Sequence, residues 1–450
     1  MKALLPVLFA TVLAGCSNLY QAGGMSMQAS ANDVLGVHGP SERILHFFSG
    51  RPDGALPITG RLTIDAAGNL YGATNTGGSG TCEFRGTITG CGTVYELTPT
   101  GSSWSERVLY SFKDLGDGAG PWGTVTLDGN GNVYGVTMAG GNHGCVPLFW
   151  AYHGCGTAFE LVRKKGTWKK RTLHVFSGGT DGGNPAGSVV LDSLGNLYGT
   201  AICGGGTYSC YTEGEGDGVF FQLKPTSRTF WNIHVLHAFQ RVRLGGVFPK
   251  GDLTIDSAGH IYGMAENIYE MARSGSRWHY KQLILLGNNS FAQGRNPTGG
   301  PVFDAAGNAY GMMSDGGDVN CNCGLVFEAS RSPSGTYAET VLHTFTGGAD
   351  GGLPEDGLTI DASGLLYGTT ANGGDTNCNN GGGCGVAFTL QAAGSKSVER
   401  VLHIFKDNVR DGALPSTALD VDRAGNIYGS TAAGGPGRGI GLGSAFEITP

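Results

Sequence analysis

The chain has 450 residues, of which 82 are glycine and only 14% are charged, and its formal net charge is −7. So much glycine and so little charge exclude a mainly helical protein. The acidic balance argues against a nucleic-acid partner. A hydrophobic fraction of 40% is enough for a large buried core.

The N-terminus is typical of a bacterial lipoprotein signal. Lys2 precedes an apolar stretch from Ala3 to Val12, which ends in Leu13-Ala14-Gly15-Cys16. We predict a signal peptide over residues 1–15 and lipidation of Cys16. The lipid would attach the protein to a membrane, and we expect an exported protein at the bacterial outer membrane or cell surface. An ordinary secretory signal is the alternative, and the stretch is too short to span a bilayer. Residues 16–41 comprise the lipidated cysteine and a flexible tether.

Beyond the tether, the phrase Asp-x-x-Gly-Asn-apolar-Tyr-Gly recurs seven times with small departures. It begins at Asp65, Asp128, Asp192, Asp256, Asp304, Asp361 and Asp422. Spacings of 48 to 64 residues suit one supersecondary unit per repeat. Four short runs of β-branched and aromatic residues in each repeat predict four strands. We interpret the phrase as the turn between the first two strands.

Seven such units predict an all-β protein, a seven-bladed β-propeller of four-stranded antiparallel blades over residues 42–450. The propeller begins with an orphan fourth strand at Arg43–Phe48 and ends with an orphan third strand at Ser444–Pro450. We predict that the N-terminal strand pairs with the C-terminal blade and closes the ring.

Ten further cysteines form five local pairs, each in the loop between the second and third strands of a repeat. The pairs are Cys82 with Cys91, Cys145 with Cys155, Cys203 with Cys210, Cys321 with Cys323, and Cys378 with Cys384. An even number of locally paired cysteines in an exported chain predicts disulfides. A three-residue ring is strained, so the bonding of Cys321 and Cys323 stays open. Zinc is the alternative, but His143 and His153 belong to a different repeat.

Five repeats carry Leu-His-x-Phe in the fourth strand, at His46, His174, His237, His343 and His403. The fourth strand is outermost in a blade, so these histidines cannot converge on a shared site, and we predict packing between blades. Asp-Gly sequences follow in the next loops, as at Asp53 and Asp350. A ring of aspartates could hold calcium or sugar hydroxyls, but turns that bond their own loops are the favoured interpretation.

Aromatic residues concentrate in the loops of the first three repeats. They are Phe84, Trp122, Phe149, Trp150, Tyr152, Tyr208 and Tyr211. Exposed rings beside amides suit a glycan or a peptide, so we favour a non-catalytic binding or scaffolding module. Packing of these rings against the disulfides is the structural alternative. On the opposite face, the basic run Arg163–Arg171 could contact anionic lipid or be a solvated turn.

The second hypothesis is a metal-dependent hydrolase or lactonase at the channel mouth. Such propellers gather carboxylates on their innermost strands, and here these strands supply Asp252 and Asp356, with Glu355 adjacent. Calcium takes six or more oxygen ligands, so this set is thin. We therefore expect no cofactor and no catalysis, with calcium as the one candidate metal.

The repeat resembles the bacterial GloVer repeat, found in choice-of-anchor tandem repeat GloVer-containing proteins. The resemblance rests on three ordered segments, at Leu342–Gly351, Asp361–Thr370 and Gly385–Phe388. It extends over residues 42–450, and the fourth repeat departs most. The resemblance implies a surface-anchored repeat protein and implies no chemistry.

Overall fold

A computed structural model describes residues 40–58, 60–84, 87–142, 144–145, 153–206, 210, 217–227, 230–239, 249–287, 291–394, 396–436 and 441–450. These residues form seven antiparallel sheets of four or five strands, three two-stranded sheets and no α-helix. No helix in this part of the chain has the length and hydropathy needed to cross a membrane. The fold is the predicted seven-bladed β-propeller.

The first four blades follow the chain, each with its four strands in sequence order. Blade 1 contains Thr63–Ile64, Leu70–Thr74, Thr93–Thr100 and Ser103–Ser111. Blade 2 contains Ala119–Leu127, Val133–Ala139, Thr157–Lys164 and Thr167–Val175. Blade 3 contains Val190–Leu191, Leu197–Cys203, Val219–Pro225 and Trp231–Ala238, with Gly183–Pro185 also paired to its second strand. Blade 4 contains Thr254–Ile255, Ile261–Met264, Asn267–Ser274 and Arg277–Leu285.

Blades 5 and 6 are also built from strands that are consecutive in sequence. Blade 7 combines the first long strand of the described chain with three strands from its C-terminal end. Blade 5 contains Arg295–Phe303, Ala309–Asp315, Leu325–Arg331 and Tyr337–Thr344. Blade 6 contains Thr359–Ile360, Leu365–Thr370, Val386–Gln391 and Val398–Ile404. Blade 7 contains Asp420–Val421, Ile427–Thr431, Ser444–Thr449 and Ser41–Phe47.

The ring closes as predicted, through the strand Ser41–Phe47, which we call the closing strand. It pairs antiparallel with Ser444–Thr449, so that Ser41 lies opposite Thr449 and Phe47 opposite Ser444. The strand begins two residues before the predicted start at Arg43 and ends one residue before the predicted end at Phe48. Ring closure therefore depends on hydrogen bonds and packing between distant parts of the sequence.

Each Asp-x-x-Gly-Asn phrase forms the predicted turn. In blade 1, Oδ1 of Asp65 accepts the N–H groups of Ala67 and Asn69 at 2.8 and 2.9 Å. Its Oδ2 accepts the Tyr71 hydroxyl at 3.3 Å. These backbone and tyrosine bonds recur in all seven blades. One carboxylate thus satisfies the turn and fixes the second strand.

The core lies within and between the blades. The ring of Phe159, on the third strand of blade 2, lies against Gly135 of the second strand, where an added Cβ would be 2.7 Å from Cζ. This contact explains why glycine follows tyrosine in the repeated phrase. Phe112 of blade 1 packs edge-on against Phe159 with ring centroids 5.1 Å apart. Both rings are fully buried, so each aromatic layer joins one blade to the next.

All five predicted cysteine pairs are disulfide-bonded, which confirms the pairing expected from local spacing. The bonds join Cys82 to Cys91, Cys145 to Cys155, Cys203 to Cys210, Cys321 to Cys323, and Cys378 to Cys384. The bonding of Cys321 and Cys323, which the sequence left open, is therefore present. The second member of each pair is buried: Cys91, Cys155, Cys210, Cys323 and Cys384 are each at most 4% exposed. The disulfides thus attach the loops to the blade core.

The Leu-His-x-Phe histidines stay apart as expected, and four of them contact the aspartate of the following loop. These pairs are His46–Asp53, His174–Asp181, His343–Asp350 and His403–Asp411. The aspartates also accept backbone N–H groups of their own loops, which confirms the turn interpretation.

Candidate functional site

The first strand of each blade borders a central channel that connects two faces of the propeller. Each first strand starts at the face that carries the long loops, which we call the loop face. It ends in an Asp-x-x-Gly-Asn turn at the opposite face, which we call the hairpin face. Side chains along these strands therefore lie at defined depths between the two faces.

Glycines bring neighbouring first strands together midway along the channel. A Cβ on Gly123 would lie 2.2 Å from the carbonyl oxygen of Gly187, and one on Gly187 would lie 2.3 Å from that of Gly251. One on Gly251 would lie 1.8 Å from the carbonyl oxygen of Gly299. Only a residue without a side chain permits these approaches. The sequence therefore fixes close backbone contact at this depth.

Asp356 of blade 6 joins its blade to two others at the same depth. Its Oδ2 accepts the N–H of Gly60 in blade 1 and the N–H of Ala418 in blade 7, each at 3.1 Å. Its Oδ1 accepts the N–H of Gly357 at 2.7 Å. The carboxylate thus satisfies three buried backbone donors.

Asp252 of blade 4 likewise joins its blade to others, in this case blades that precede it in the chain. Its Oδ1 accepts the Ser188 N–H at 2.8 Å, and its Oδ2 accepts the Thr124 hydroxyl at 2.6 Å. The guanidinium of Arg61 lies 3.9 Å from Oδ2. Asp252 therefore connects blade 4 to blades 1, 2 and 3.

The donor set decides what these two carboxylates can do. Burial raises the pKa of Asp356, and the neighbouring Asp252 carboxylate raises it further. Their oxygens face N–H and O–H donors, which match an anion and would compete with a cation. Among the described residues, the compact clusters of three metal-binding side chains include neither Asp252, Glu355 nor Asp356. The geometry supports a structural role for the acid pair, and calcium binding stays a prediction.

Glu355 and Lys250 lie nearer the loop face. Glu355 is one residue before Asp356, and Lys250 is two residues before Asp252. Both side chains are exposed to water although protein surrounds them in the channel mouth. Partial desolvation by the surrounding channel walls and the Asp356 carboxylate raise the pKa of Glu355 to about 7, and the Lys250 ammonium opposes that rise. A carboxyl group that titrates near neutrality can act as a general acid or base.

Most of the predicted aromatic surface lies outside the described residues, as does Cys16. Phe149, Trp150, Tyr152, Tyr208 and Tyr211 fall in segments outside the described residues. Within the described part, the backbone of Phe84 belongs to the short strand Glu83–Phe84. Trp122 is half-buried and packs against Met138, Ala186 and Ile202 at the loop side of the channel. The structure therefore brings Trp122 to the channel mouth and leaves the rest of the set a prediction.

The hairpin face contains a cavity that sequence reasoning missed. It has a volume of about 1200 Å³ and extends from the channel, beside Arg61 and Asp252, outward between blades 4 and 5. We call it the hairpin-face cavity. Its outer part is lined by His260, Tyr262, Lys281, Phe303, Arg331 and Tyr337.

The outer part of the hairpin-face cavity combines flat rings with charged groups. Tyr262 and Phe303 are in contact, with ring centroids 4.6 Å apart, and both are partly exposed. His260 lies 3.1 Å from Asp256 and 3.6 Å from Glu270. His260 takes the asparagine position of the repeated phrase, a departure that could have drawn attention to blade 4 in the sequence.

Solved structures share the fold. A putative 6-phosphogluconolactonase from Bacteroides fragilis matches with a TM-score of 0.51 and 14% identity over 86% of this chain and 99% of that chain. A protein from Lactobacillus plantarum has a TM-score of 0.48 and 13% identity over 77% of this chain and 86% of that chain. A periplasmic gluconolactonase from Pseudomonas aeruginosa has a TM-score of 0.43 and 16% identity over 77% of this chain and 88% of that chain. At these identities the likeness concerns the fold alone. No curated protein matches the sequence.

The repeat itself has a recognised family. The Gloeobacter/Verrucomicrobia repeat matches residues 34–275 and 267–450, which together include all seven blades and the divergent fourth repeat. The family pattern therefore extends over every repeated turn and tyrosine-glycine pair described above. The chain belongs to the Gloeobacter/Verrucomicrobia repeat family.

Proposed function

We propose that the protein is a non-catalytic binding module, exported and held at a bacterial membrane by a lipid on Cys16. The observation that carries the binding role is the outer part of the hairpin-face cavity, where aromatic rings and charged side chains of blades 4 and 5 line one concave surface. It lies where the fourth repeat departs from the others. Structural residues repeat from blade to blade, whereas a binding site is expected to break the repetition.

The lining favours a glycan. Tyr262, Phe303 and Tyr337 supply partly exposed ring faces, which pack against the apolar faces of sugars. Lys281 and Arg331 are exposed donors that line the same cavity. Asp256 and Asp304 also line the cavity, but they are hydrogen-bonded within their own turns. Donors therefore remain available to sugar hydroxyls or carboxylates.

The contacts of the channel acids support the absence of catalysis. Between them, Asp252 and Asp356 accept hydrogen bonds from blades 1, 2, 3 and 7, and these bonds hold the inner strands. A catalytic carboxylate has to release such partners to reach a substrate. Their arrangement suits a rigid scaffold.

A glycan array that includes peptidoglycan fragments, probed with purified protein, tests the proposal. We expect retention of at least one glycan and its loss in the double variant Lys281→Ala/Arg331→Ala. Arg400→Ala is the matched control, because Arg400 has the position of Lys281 on the fourth strand of blade 6 and does not line the cavity. Equal retention by the double variant, or retention of peptides alone, would contradict this site assignment.

The loop-face aromatic surface is the alternative location for the ligand. Trp150→Ala and Tyr152→Ala test it on the same array. If these variants lose the glycan while Lys281→Ala/Arg331→Ala keeps it, the ligand binds at the loop face and the binding role stands with a different site.

A hydrolase or lactonase is the second candidate function, favoured by the Glu355 carboxyl beside Lys250 in the channel mouth. A panel of sugar lactones and esters tests it. This hypothesis expects turnover that follows a group with a pKa near 7 and falls at least about 100-fold in Glu355→Gln. Glu266→Gln, an exposed substitution in blade 4, is the control. Absence of turnover in the parent protein on this panel supports the binding module.

A further inference from the structure

Several outer junctions between consecutive blades share one arrangement. A residue near the end of one fourth strand and the aspartate of the following loop meet a side chain from the fourth strand of the next blade. Between blades 1 and 2 these residues are Tyr110, Asp117 and Lys170. The Tyr110 hydroxyl donates to Asp117 at 2.8 Å, and the Lys170 ammonium lies 3.2 Å from the same carboxylate oxygen.

The ammonium of Lys170 is buried, with only 3% of its side chain exposed, and lies 5.6 Å from the centroid of the Phe112 ring. Asp117 still accepts the N–H of Lys113 through its other oxygen at 2.9 Å. The loop turn and a cation are therefore compatible at this position. The junction between blades 1 and 2 thus holds a positive charge built into the sequence.

The two junctions on either side of blade 7 replace this lysine by glutamate. Glu106 lies opposite Leu97 on the fourth strand of blade 1, as Lys170 lies opposite Leu161 in blade 2. It meets His46 and Asp53, whose ligand atoms are 3.1 Å apart. In the blade 6–7 junction, Glu42 meets His403 and Asp411, which are 3.2 Å apart.

In each of these two groups, one imidazole nitrogen and two carboxylate oxygens lie within 4.8 Å of one another. We call the groups His46–Asp53–Glu106 and Glu42–His403–Asp411 the closure clusters. Oε1 of Glu106 and Oε1 of Glu42 are buried and have no hydrogen-bond partner within the described structure. Buried carboxylate oxygens of this kind require a donor, a proton or a cation.

We propose that each closure cluster binds one divalent transition-metal cation, with Zn²⁺ as the best match. One imidazole and two carboxylates are ligands that zinc accepts, and three protein ligands leave a position for water. An imidazole ligand disfavours calcium and magnesium, which take oxygen ligands. In the blade 1–2 junction the Lys170 ammonium supplies the positive charge that the metal supplies here.

Both sites take a ligand from the closing strand. Glu42 and His46 lie on Ser41–Phe47, the segment that closes the ring without a covalent link. A cation at Glu42 joins this strand to blade 6, and a cation at His46 joins it to blade 1. The metals would therefore strengthen the two junctions on which closure depends.

The blade 5–6 junction is an internal comparison. It contains the same residue types, His343, Asp350 and Glu399, but in the described structure their ligand atoms do not form a compact group of three. Glu399→Gln is therefore the matched control for substitutions in the closure clusters.

The test titrates Zn²⁺ into EDTA-treated full-length protein, followed by calorimetry and by metal analysis after desalting. We expect two bound ions in the parent, one in Glu42→Gln or Glu106→Gln, none in the double variant, and two in Glu399→Gln. The unfolding temperature should rise with Zn²⁺ in the parent and not in the double variant, while Ca²⁺ should leave it unchanged.

Circular dichroism of each variant without metal confirms that it is folded, since the exchange of a carboxylate for an amide conserves shape. Zn²⁺ binding that is unchanged in the folded double variant would overturn the proposal, as would a folded parent that binds no Zn²⁺. If acid stabilises the protein and Zn²⁺ has no effect, protons rather than metal ions neutralise the glutamates of the closure clusters. That result would also overturn the proposal.

Discussion

The carboxylate of Asp356 in blade 6 accepts a hydrogen bond from the backbone N–H of Gly60 in blade 1, at 3.1 Å and across 296 positions of sequence. The same carboxylate also accepts N–H groups of Ala418 and Gly357. One buried side chain thus joins the first blade to the last two. The stability of the ring should depend on it.

Asp356→Ala should lower the free energy of unfolding by about 3 kcal/mol or more, because it leaves three buried N–H groups without an acceptor. Asp356→Asn should cost less, since one amide oxygen remains. Urea denaturation followed by fluorescence measures both. Glu266→Gln, at an exposed position, should be neutral. A loss of less than about 1 kcal/mol in Asp356→Ala would contradict the structural role.

The turn aspartates predict acid sensitivity. Burial alone would raise the pKa of Asp304, but hydrogen bonds from Asn308, Tyr310 and Ala306 outweigh it and lower the pKa below its ordinary value. Hydrogen bonds within the turn also lower the pKa of Asp256, Asp361 and Asp422 against the effect of burial. A lowered folded-state pKa stabilises the fold above the unfolded-state pKa, about 3.9 for aspartate, and this stability is lost as pH falls through the folded-state pKa.

Denaturation midpoints measured from pH 7 to pH 2.5 should therefore fall steeply at the acidic end. Asp304→Asn should lower the midpoint at pH 7 and make the acid dependence shallower, because one of the titrating groups is gone. An unchanged slope in this variant would show that the acid dependence arises elsewhere.

Truncation of Phe48 tests ring closure. Phe48 follows the closing strand, is 5% exposed, and packs edge-on against Tyr95 of blade 1 with centroids 5.0 Å apart. Phe48→Ala should cost about 3–5 kcal/mol, in the range of large buried aromatic deletions. Val398→Ala is the control, because Val398 is 65% exposed on the fourth strand of blade 6. Equal costs would show that the closing strand contributes no more than a surface position.

The proposed lipid anchor has a direct test. Cys16→Ser removes the thiol that lipidation requires, so the protein should move from the membrane fraction to the soluble fraction. Cys321→Ser, which breaks a loop disulfide, should leave the membrane association unchanged. Continued sedimentation of Cys16→Ser with membranes would indicate another mode of attachment.

The sequence was sufficient for much of the fold, and for definite reasons. Asp65 and Tyr71 belong to a phrase whose bonds are local, so repetition of the phrase predicts repetition of the turn. The orphan strands at the two ends had complementary positions in the repeat, which predicted the pairing of the N-terminal strand with the C-terminal blade. Local spacing, such as that between Cys82 and Cys91, likewise predicted the disulfides.

The site was less accessible because it depends on contacts between blades. Asp252 follows the glycine position of its first strand, whereas Asp356 replaces that glycine, and only the ring shows that both meet backbone donors of other blades. The Leu-His-x-Phe histidines do not meet one another, as predicted. His46 nevertheless meets Glu106 because neighbouring fourth strands are in register, and the linear spacing of the repeats does not determine that register.

The direction of the closing strand has a consequence for how an anchored molecule would be oriented. Ser41 is at the hairpin-face end of this strand, near the outer edge, so the polypeptide from Cys16 arrives on the side of the basic turn between Lys164 and Thr167. The connecting segment of about two dozen residues can reach at most about 80 Å when fully extended. If Cys16 carries the proposed lipid, the tether would therefore join the propeller at its hairpin face, on the opposite side from the disulfide-bonded loops.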